Sequence, residues 1–195
     1  MTEHHAGGTA SAGDRIIEAA LTSIAREGLG AVTMTGIAEA AGVSRQTLYN
    51  HYPDVDSIVT DAITRHNRES IRLLEAALLV VDDAPGKLTQ LVRHMVMIGA
   101  HAPHAPGLEH GLSGPARARL DEHDAAVDDT IRGVLDHGRR DGAFRHDLDL
   151  DVDTVLIRHL LAGLSEQASR TPDAAAAIAA TGTRTLLAAV GPGPG

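Results

Sequence analysis

Apolar positions recur at helical spacing along most of the chain, and cap and turn residues fall in the gaps between them. Ile16, Ile17, Ala20, Leu21 and Ile24 share one face of a helix that begins near Asp14 and stops at Gly28. Thr33 precedes the short run MTGIAEAA, closed by Gly42, and Ser44 precedes RQTLYNH. A hydroxyl at either position can accept a bond from a backbone N–H that a first helical turn leaves unpaired, so both read as caps. Pro53 pushes Tyr52 out of helical geometry and ends the third helix. Asp54 is placed to cap a fourth, predicted over 55–81 and broken by the run DDAPG. A fifth is predicted over 87–101, with Leu88, Leu91, Met95 and Ile98 on one face. Residues 102–115, APHAPGLEHGLSGP, predict a loop with at most one short helix. Helices over 116–140, 152–169 and 173–190 complete the pattern. No segment alternates with a period of two and no internal repeat appears, so the fold class is all-α.

Composition narrows this further. A chain of 195 residues can hold one large domain or two small ones around a real core. Aromatics make up only 2%, so the core must be Ala, Leu, Val and Ile, which favours helices over a sheet. Without cysteine there is no disulfide framework, thiolate metal site or cysteine nucleophile. The start MTEHHAGGTASAG lacks the basic and apolar parts of a secretory signal, and no apolar run reaches the roughly 20 residues of a membrane span. The expectation is a cytoplasmic protein with no membrane partner. A formal net charge of −9 opposes bulk attraction to nucleic acid or anionic membrane.

One stretch stands against that charge. Residues 40–53 hold one arginine and no acid, and they contain both tyrosines of the chain. The turn Ala41-Gly42-Val43-Ser44 has the logic of a helix-turn-helix. Gly42 permits the reversal, Val43 fills the angle, and Ile37, Ala38, Ala41 and Leu48 form a small apolar wedge. In such a unit the second helix enters the major groove by its N-terminal end. That places Arg45, Gln46, Thr47 and Asn50 where they can bond base edges or phosphates.

The run TMTGIAEAAGVSRQTLYNHYPDVDSIV resembles the helix-turn-helix signature of tetracycline-repressor (TetR) family transcriptional regulators, over about residues 14–60. The remaining helical layout is similar to that family's ligand-binding and dimerisation part. The resemblance implies a DNA-facing set of Thr33, Thr35, Ser44, Arg45, Gln46, Thr47, Tyr49, Asn50, His51 and Tyr52. Within it Thr33 caps a helix, and Tyr49, His51 and Tyr52 line or brace the phosphate side. Tyr52 stands where the family usually has an apolar aromatic, so it also reads as core. Thr35 and Gly36 depart from the charged or polar pair common there, and the amino-terminal arm lacks basic residues. Residues 1–52 carry three arginines against five acids, so little counterion release and a shallow salt dependence are expected. Helix N-termini can still bind phosphate through backbone N–H groups.

The implied organisation is a disordered tail over 1–12, a DNA-binding domain over 13–58, an effector-binding and dimerisation domain over 59–190, and a flexible tail over 191–195. The expected partners are a double-stranded, palindromic DNA operator, a second copy in a homodimer, and a small-molecule effector. A short recognition helix reads few base pairs, so specificity calls for two copies related by a two-fold axis. Leu156, Leu160, Leu164, Ile178, Leu186 and Leu187, interleaved with alanines, are the dimerisation candidates; equally, they could cover their own core. Effector-cavity candidates are Leu74, Leu78, Leu91, His94, Met95, Ile98, Leu112, Val127, Ile131 and Phe144, with plain core again the competing reading.

The twelve histidines raise a metal site. His94, His101, His104 and His110 lie close in sequence, yet no pair has the tight helical spacing of a metal site with a carboxylate beside it, and HExxH is absent. Asp147, Asp149, Asp151 and Asp153 lack the glycine and closing glutamate of a calcium loop, and read as caps and decoration of the next helix. No metal, cofactor or catalytic constellation is expected, and the chain reads as a regulator rather than an enzyme, a repressor in the sense the resemblance implies. Three alternatives stay open: an effector-responsive activator, a ligand-binding helical module with weak DNA affinity, and a histidine-dependent helical metalloenzyme.

Overall fold

The computed structural model describes residues 11–101 and 111–192. Among them are eight α-helices: α1 (Ala12–Glu27), α2 (Met34–Ala41), α3 (Arg45–His51), α4 (Val55–Leu79), α5 (Ala84–His101), α6 (Gly114–Arg140), α7 (Leu150–Arg170) and α8 (Ala175–Val190). The described residues contain no strand, and the fold is all-α as expected. Of the expected loop over 102–115, residues 102–110 lie outside the described residues, and α6 already begins at Gly114.

Local chemistry explains the helix ends. Ser11 caps α1 in a reciprocal box with Asp14, so the helix begins at Ala12, inside the segment expected to be a disordered tail. Gly28 and Gly42 end α1 and α2 with φ of 82° and 62°, a region that favours glycine. Thr33, Ser44 and Asp54 accept from Gly36 N, Thr47 N and Ser57 N at 3.2, 3.0 and 2.8 Å. Helix α5 starts before its predicted position because Asp83 accepts from Gly86 N at 2.7 Å and Pro85 sits harmlessly in the first turn.

The chain forms two compact units. One takes the residues up to Arg65 with the segment ending at Arg119; the other begins at His66 and resumes at Leu120. The division falls within α4 and α6 rather than in a linker. In the amino-terminal unit Ile16 and Ala20 of α1, Ile37 and Ala41 of α2, Leu48 of α3, and Ile58 and Ala62 of α4 share one core. The predicted wedge of Ile37, Ala38, Ala41 and Leu48 is buried there.

In the carboxy-terminal unit α5 packs against both α7 and α8. Leu88, Leu91, Val92 and Val96 of α5 meet Ile157 and Leu161 of α7 and Leu186 and Val190 of α8. Phe144, the single phenylalanine, is buried against Gly138. The four alternating aspartates are all engaged in structure. Asp149 caps α7, Asp151 pairs with Arg132 at 2.7 Å, and Asp147 and Asp153 flank Arg145 at 3.0 and 3.5 Å.

Candidate functional site

Helix α3 presents a polar face on an apolar base. Leu48 is fully buried, while Arg45, Gln46, Tyr49, Asn50 and His51 are exposed. Val43 N bonds to Ala38 O at 3.0 Å across the turn, and Arg15 Nε donates to Ala41 O at 3.4 Å. A cation at that carbonyl end complements the helix dipole of α2. Ser44 Oγ and Thr47 Oγ1 share a hydrogen bond of 2.8 Å, and Gln46 Nε2 donates to Asn50 Oδ1 at 2.9 Å. The second of these holds two amides side by side on the exposed face, where each keeps donors and acceptors for a base edge.

Several expected DNA-facing residues have other duties. Thr33 and Ser44 are occupied as caps, and Thr35 and Thr47 are half-buried. The DNA-facing assignment of Tyr52 is corrected: it is 8% exposed, and its ring joins the amino-terminal core. Its hydroxyl donates to Asp61 Oδ2 at 2.6 Å. Burial first, and then the Asp61 carboxylate, push the phenol up to about 12, so it stays a donor.

Sequence reasoning missed the network beyond that hydroxyl. Arg65 reaches Asp61 at 3.0 Å and Asp14 at 2.7 Å. Asp14 also accepts from Ser11 N at 3.1 Å, and the Ser11 bonds, then Arg65, hold its carboxyl below the usual range. One polar chain thus ties the start of α1 and the end of α3 to α4. The Asp61/Arg65 spacing on α4 was its only sequence signal.

In the carboxy-terminal unit a cavity of about 410 Å³ lies between α4 and α5. Leu73, Met97 and Ile98 make its apolar wall, and Glu69, Ser70, His66, His94 and His101 supply polar groups. Of the ten effector candidates it contains His94 and Ile98. Leu78 lines a second hollow of about 450 Å³ with Lys87 and His137. Leu74, Leu91, Val127, Ile131 and Phe144 are instead closed core, and Met95 packs against it. Leu112 is buried in the other unit. Those seven side chains thus pack against neighbouring residues and line neither of these two hollows.

His94 and His123 are each partly buried. Ser70 Oγ and His94 Nε2 share a bond of 3.2 Å, whereas His123 Nδ1 is buried without a partner. Burial, and then the neighbouring histidines, press both rings below the ordinary value of 6.5; Asp124 opposes this at His123. The folded chain therefore binds fewer protons than the unfolded one as the pH drops below 6.5. This contribution to stability is complete above that value and is lost as the pH falls through the lower folded-state values. The melting temperature is expected to be lower at about pH 5.5 than at about pH 7.5, a window above ordinary carboxylate titration. The His123→Leu variant should show a smaller difference; thermal melts at the two values, where an equal difference would refute the assignment, check this.

Among the described residues no group of three or more histidine or acidic side chains could hold a metal ion. No described helix is long and apolar enough to cross a membrane. The dimerisation candidates divide. Leu156 and Leu160 are exposed on α7. Leu186 is buried, and Leu164, Ile178 and Leu187 are partly buried against the same core.

Comparison with known proteins agrees with this geometry. Residues 16–61 match the family model for bacterial regulatory proteins of the tetR family. An uncharacterised HTH-type transcriptional regulator of Mycobacterium tuberculosis, MT2310, is 40% identical over 63 residues, 32% of this chain and 33% of that protein. The chain thus aligns with about a third of the length of that relative. The HTH-type transcriptional repressor KstR2 of Rhodococcus jostii is 26% identical over 142 residues, 70% of each chain. The crystal structure of a tetR-family regulatory protein from Rhodococcus RHA1 superposes with a TM-score of 0.79 at 23% identity, covering 95% of this chain and all of that one (100%). The capped α3 on an α1–α4 core and the matching family model lead to one conclusion: residues 16–61 form an amino-terminal domain of the type found in bacterial regulatory proteins of the tetR family, and the whole chain shares its fold with a tetR-family protein.

Proposed function

We propose that the chain is a DNA-binding transcriptional repressor that acts as a homodimer on a palindromic operator and is released by a small-molecule effector. The observation that carries this reading is the exposed face of α3, with Arg45, Gln46, Tyr49 and Asn50 outward over a buried Leu48. Side chains of these types reach base edges and phosphates from a helix lying in the major groove. The relative KstR2, described as a repressor, supports repression over activation. The α4–α5 cavity is the effector site in this reading, and α4 is the lever, since its residues belong to both units. An effector favouring one α4 position would reduce the population able to span both half-sites.

The experiment is fluorescence anisotropy with duplex DNA from beside the protein's own gene, against unrelated duplex of equal length. Specific binding with a shallow salt slope is expected, because residues 1–52 offer few cations for phosphate. Arg45→Ala and Tyr49→Ala should each weaken binding by about tenfold or more, the scale of a lost base or phosphate contact. Unchanged binding in both variants would remove α3 from the interface. The acid excess of the amino-terminal segment favours a second reading, a ligand-binding module with weak DNA affinity; equal binding to both duplexes would favour it.

A further inference from the structure

A groove between α5 and α8 is distinct from the α3 surface and shares only Met97 with the lining of the α4–α5 cavity. It encloses about 610 Å³, within the range of small-molecule sites. Its α5 wall is Thr89, Arg93, Val96 and Met97, a stripe at helical spacing. The α8 wall runs from Ala175 to Arg184, and its four alanines leave the hollow that larger side chains would fill. That wall is about 13 Å long at 1.5 Å per residue, enough for an extended chain on the order of ten carbons.

The lining is polarised along its length. A Cβ on Gly182 would stand 3.3 Å from Val92 Cγ1. Arg93 and Arg184 follow Val92 and Gly182 by one and two residues, and both line the groove together with Thr89 and Thr183. Val96, Met97 and Ala175–Ala180 make the other end apolar.

The two arginines differ from most others in the chain. Arg158 and Arg132, for example, are each 2.7 Å from a carboxylate. Arg93 has no ion pair among the described residues, and Arg184 donates to the Thr181 hydroxyl at 3.2 Å without a carboxylate partner there. Two such guanidinium groups at one end of an apolar trough, in a chain with 26 acids and 17 bases, leave cationic charge without a local acid. Guanidinium groups match carboxylate and phosphate oxygens in pairs of hydrogen bonds.

We propose that the α5–α8 groove binds an anionic amphiphile, its carboxylate or phosphate head held by Arg93 and Arg184 and its hydrocarbon chain lying over Ala175–Ala180. The site is separate from the effector cavity proposed above, and its test does not depend on DNA binding.

The full-length protein is titrated calorimetrically with decanoate, decyl phosphate and decanol, each below its aggregation concentration. Saturable binding of decanoate or decyl phosphate is expected, and the tighter of the two identifies the head group. Decanol should bind about tenfold more weakly or worse. Arg93→Gln and Arg184→Gln, both at exposed positions on helices, should each weaken the anionic probe by about tenfold and leave decanol unchanged. Ala179→Leu, which fills the apolar end, should weaken every probe that binds. The proposal is overturned if no anionic probe saturates, if decanol binds as tightly as decanoate, or if the arginine variants bind like the parent. A change of solution mass in Ala179→Leu would make the groove an interface between copies, and that also overturns it.

Discussion

Replacing Gly99 by alanine is expected to destabilise the carboxy-terminal unit by about 3 kcal/mol or more, the upper part of the range for overpacked cores. Gly99 is buried near the end of α5, where that helix passes Ser165 of α7. A Cβ there would overlap the Ser165 carbonyl oxygen and stand 2.7 Å from both its carbonyl carbon and its Oγ. The hydroxyl can rotate away. The carbonyl cannot, because the hydrogen-bonded backbone of α7 fixes it. The helices must part instead, and contacts among Val92, Val96, Ile157 and Leu161 loosen with them.

Helix propensity acts in the opposite direction, since alanine is about 1 kcal/mol better than glycine inside a helix. Gly133→Ala in α6 isolates that term, because nothing lies within 4 Å of a Cβ there. It should stabilise by about 0.5–1 kcal/mol. Denaturant unfolding of the two variants beside the parent checks both signs. A Gly99→Ala chain as stable as the parent would show that α5 and α7 do not cross this closely in solution.

Gly99 also marks where sequence reading stops. Its neighbours on α5 gave the apolar stripe, but nothing local says that α7 passes within one carbon's width. The same limit separates the other successes from the failures. Thr33, Ser44, Asp54, Gly28 and Gly42 were legible because a cap or a left-handed turn is decided within a few residues. The α2–α3 wedge was legible because its residues lie on adjacent short helices. The Tyr52–Asp61 bond was not, since an aromatic at that position reads as core whether or not it carries a hydroxyl.

The effector candidates divided between cavity and core for a related reason. A stripe at 3.6-residue spacing names an inward face without saying whether another stripe fills the space before it. Leu91, Ile131 and Phe144 fill one another's space; Ile98 and His94 border a cavity because Ser70, Glu69 and His66 opposite are polar and do not close it. In α7 and α8 the ambiguity was which side of a two-sided apolar helix meets the core, and only the neighbouring helices decide that.

Leu156→Asp combined with Leu160→Asp is expected to halve the solution mass and to lower affinity for a palindromic operator by roughly 100-fold or more. Helix α7 buries Thr154, Ile157, Leu161 and Ala168 on one side. On the other it exposes Val152, Val155, Leu156 and Leu160, the two leucines at 55% and 48%. These four lie at helical spacing, so they form one stripe rather than scattered surface residues, and a contiguous apolar patch of that kind marks an interaction surface. Two carboxylates set in the stripe would have to be desolvated without partners if a second copy covered it, which opposes pairing strongly. The subunit fold should survive, because neither leucine belongs to its core.

The effect on DNA follows from geometry. In a dimer, binding one half-site holds the second recognition helix at high effective concentration beside the other, and a monomer loses that advantage while keeping its own contacts. Affinity for a probe carrying a single half-site should therefore stay the same while palindrome affinity collapses. Unchanged mass would place the dimer interface elsewhere on the chain. A halved mass with full palindrome affinity would instead show that each subunit reads its site alone, and the two-fold arrangement would have to be abandoned.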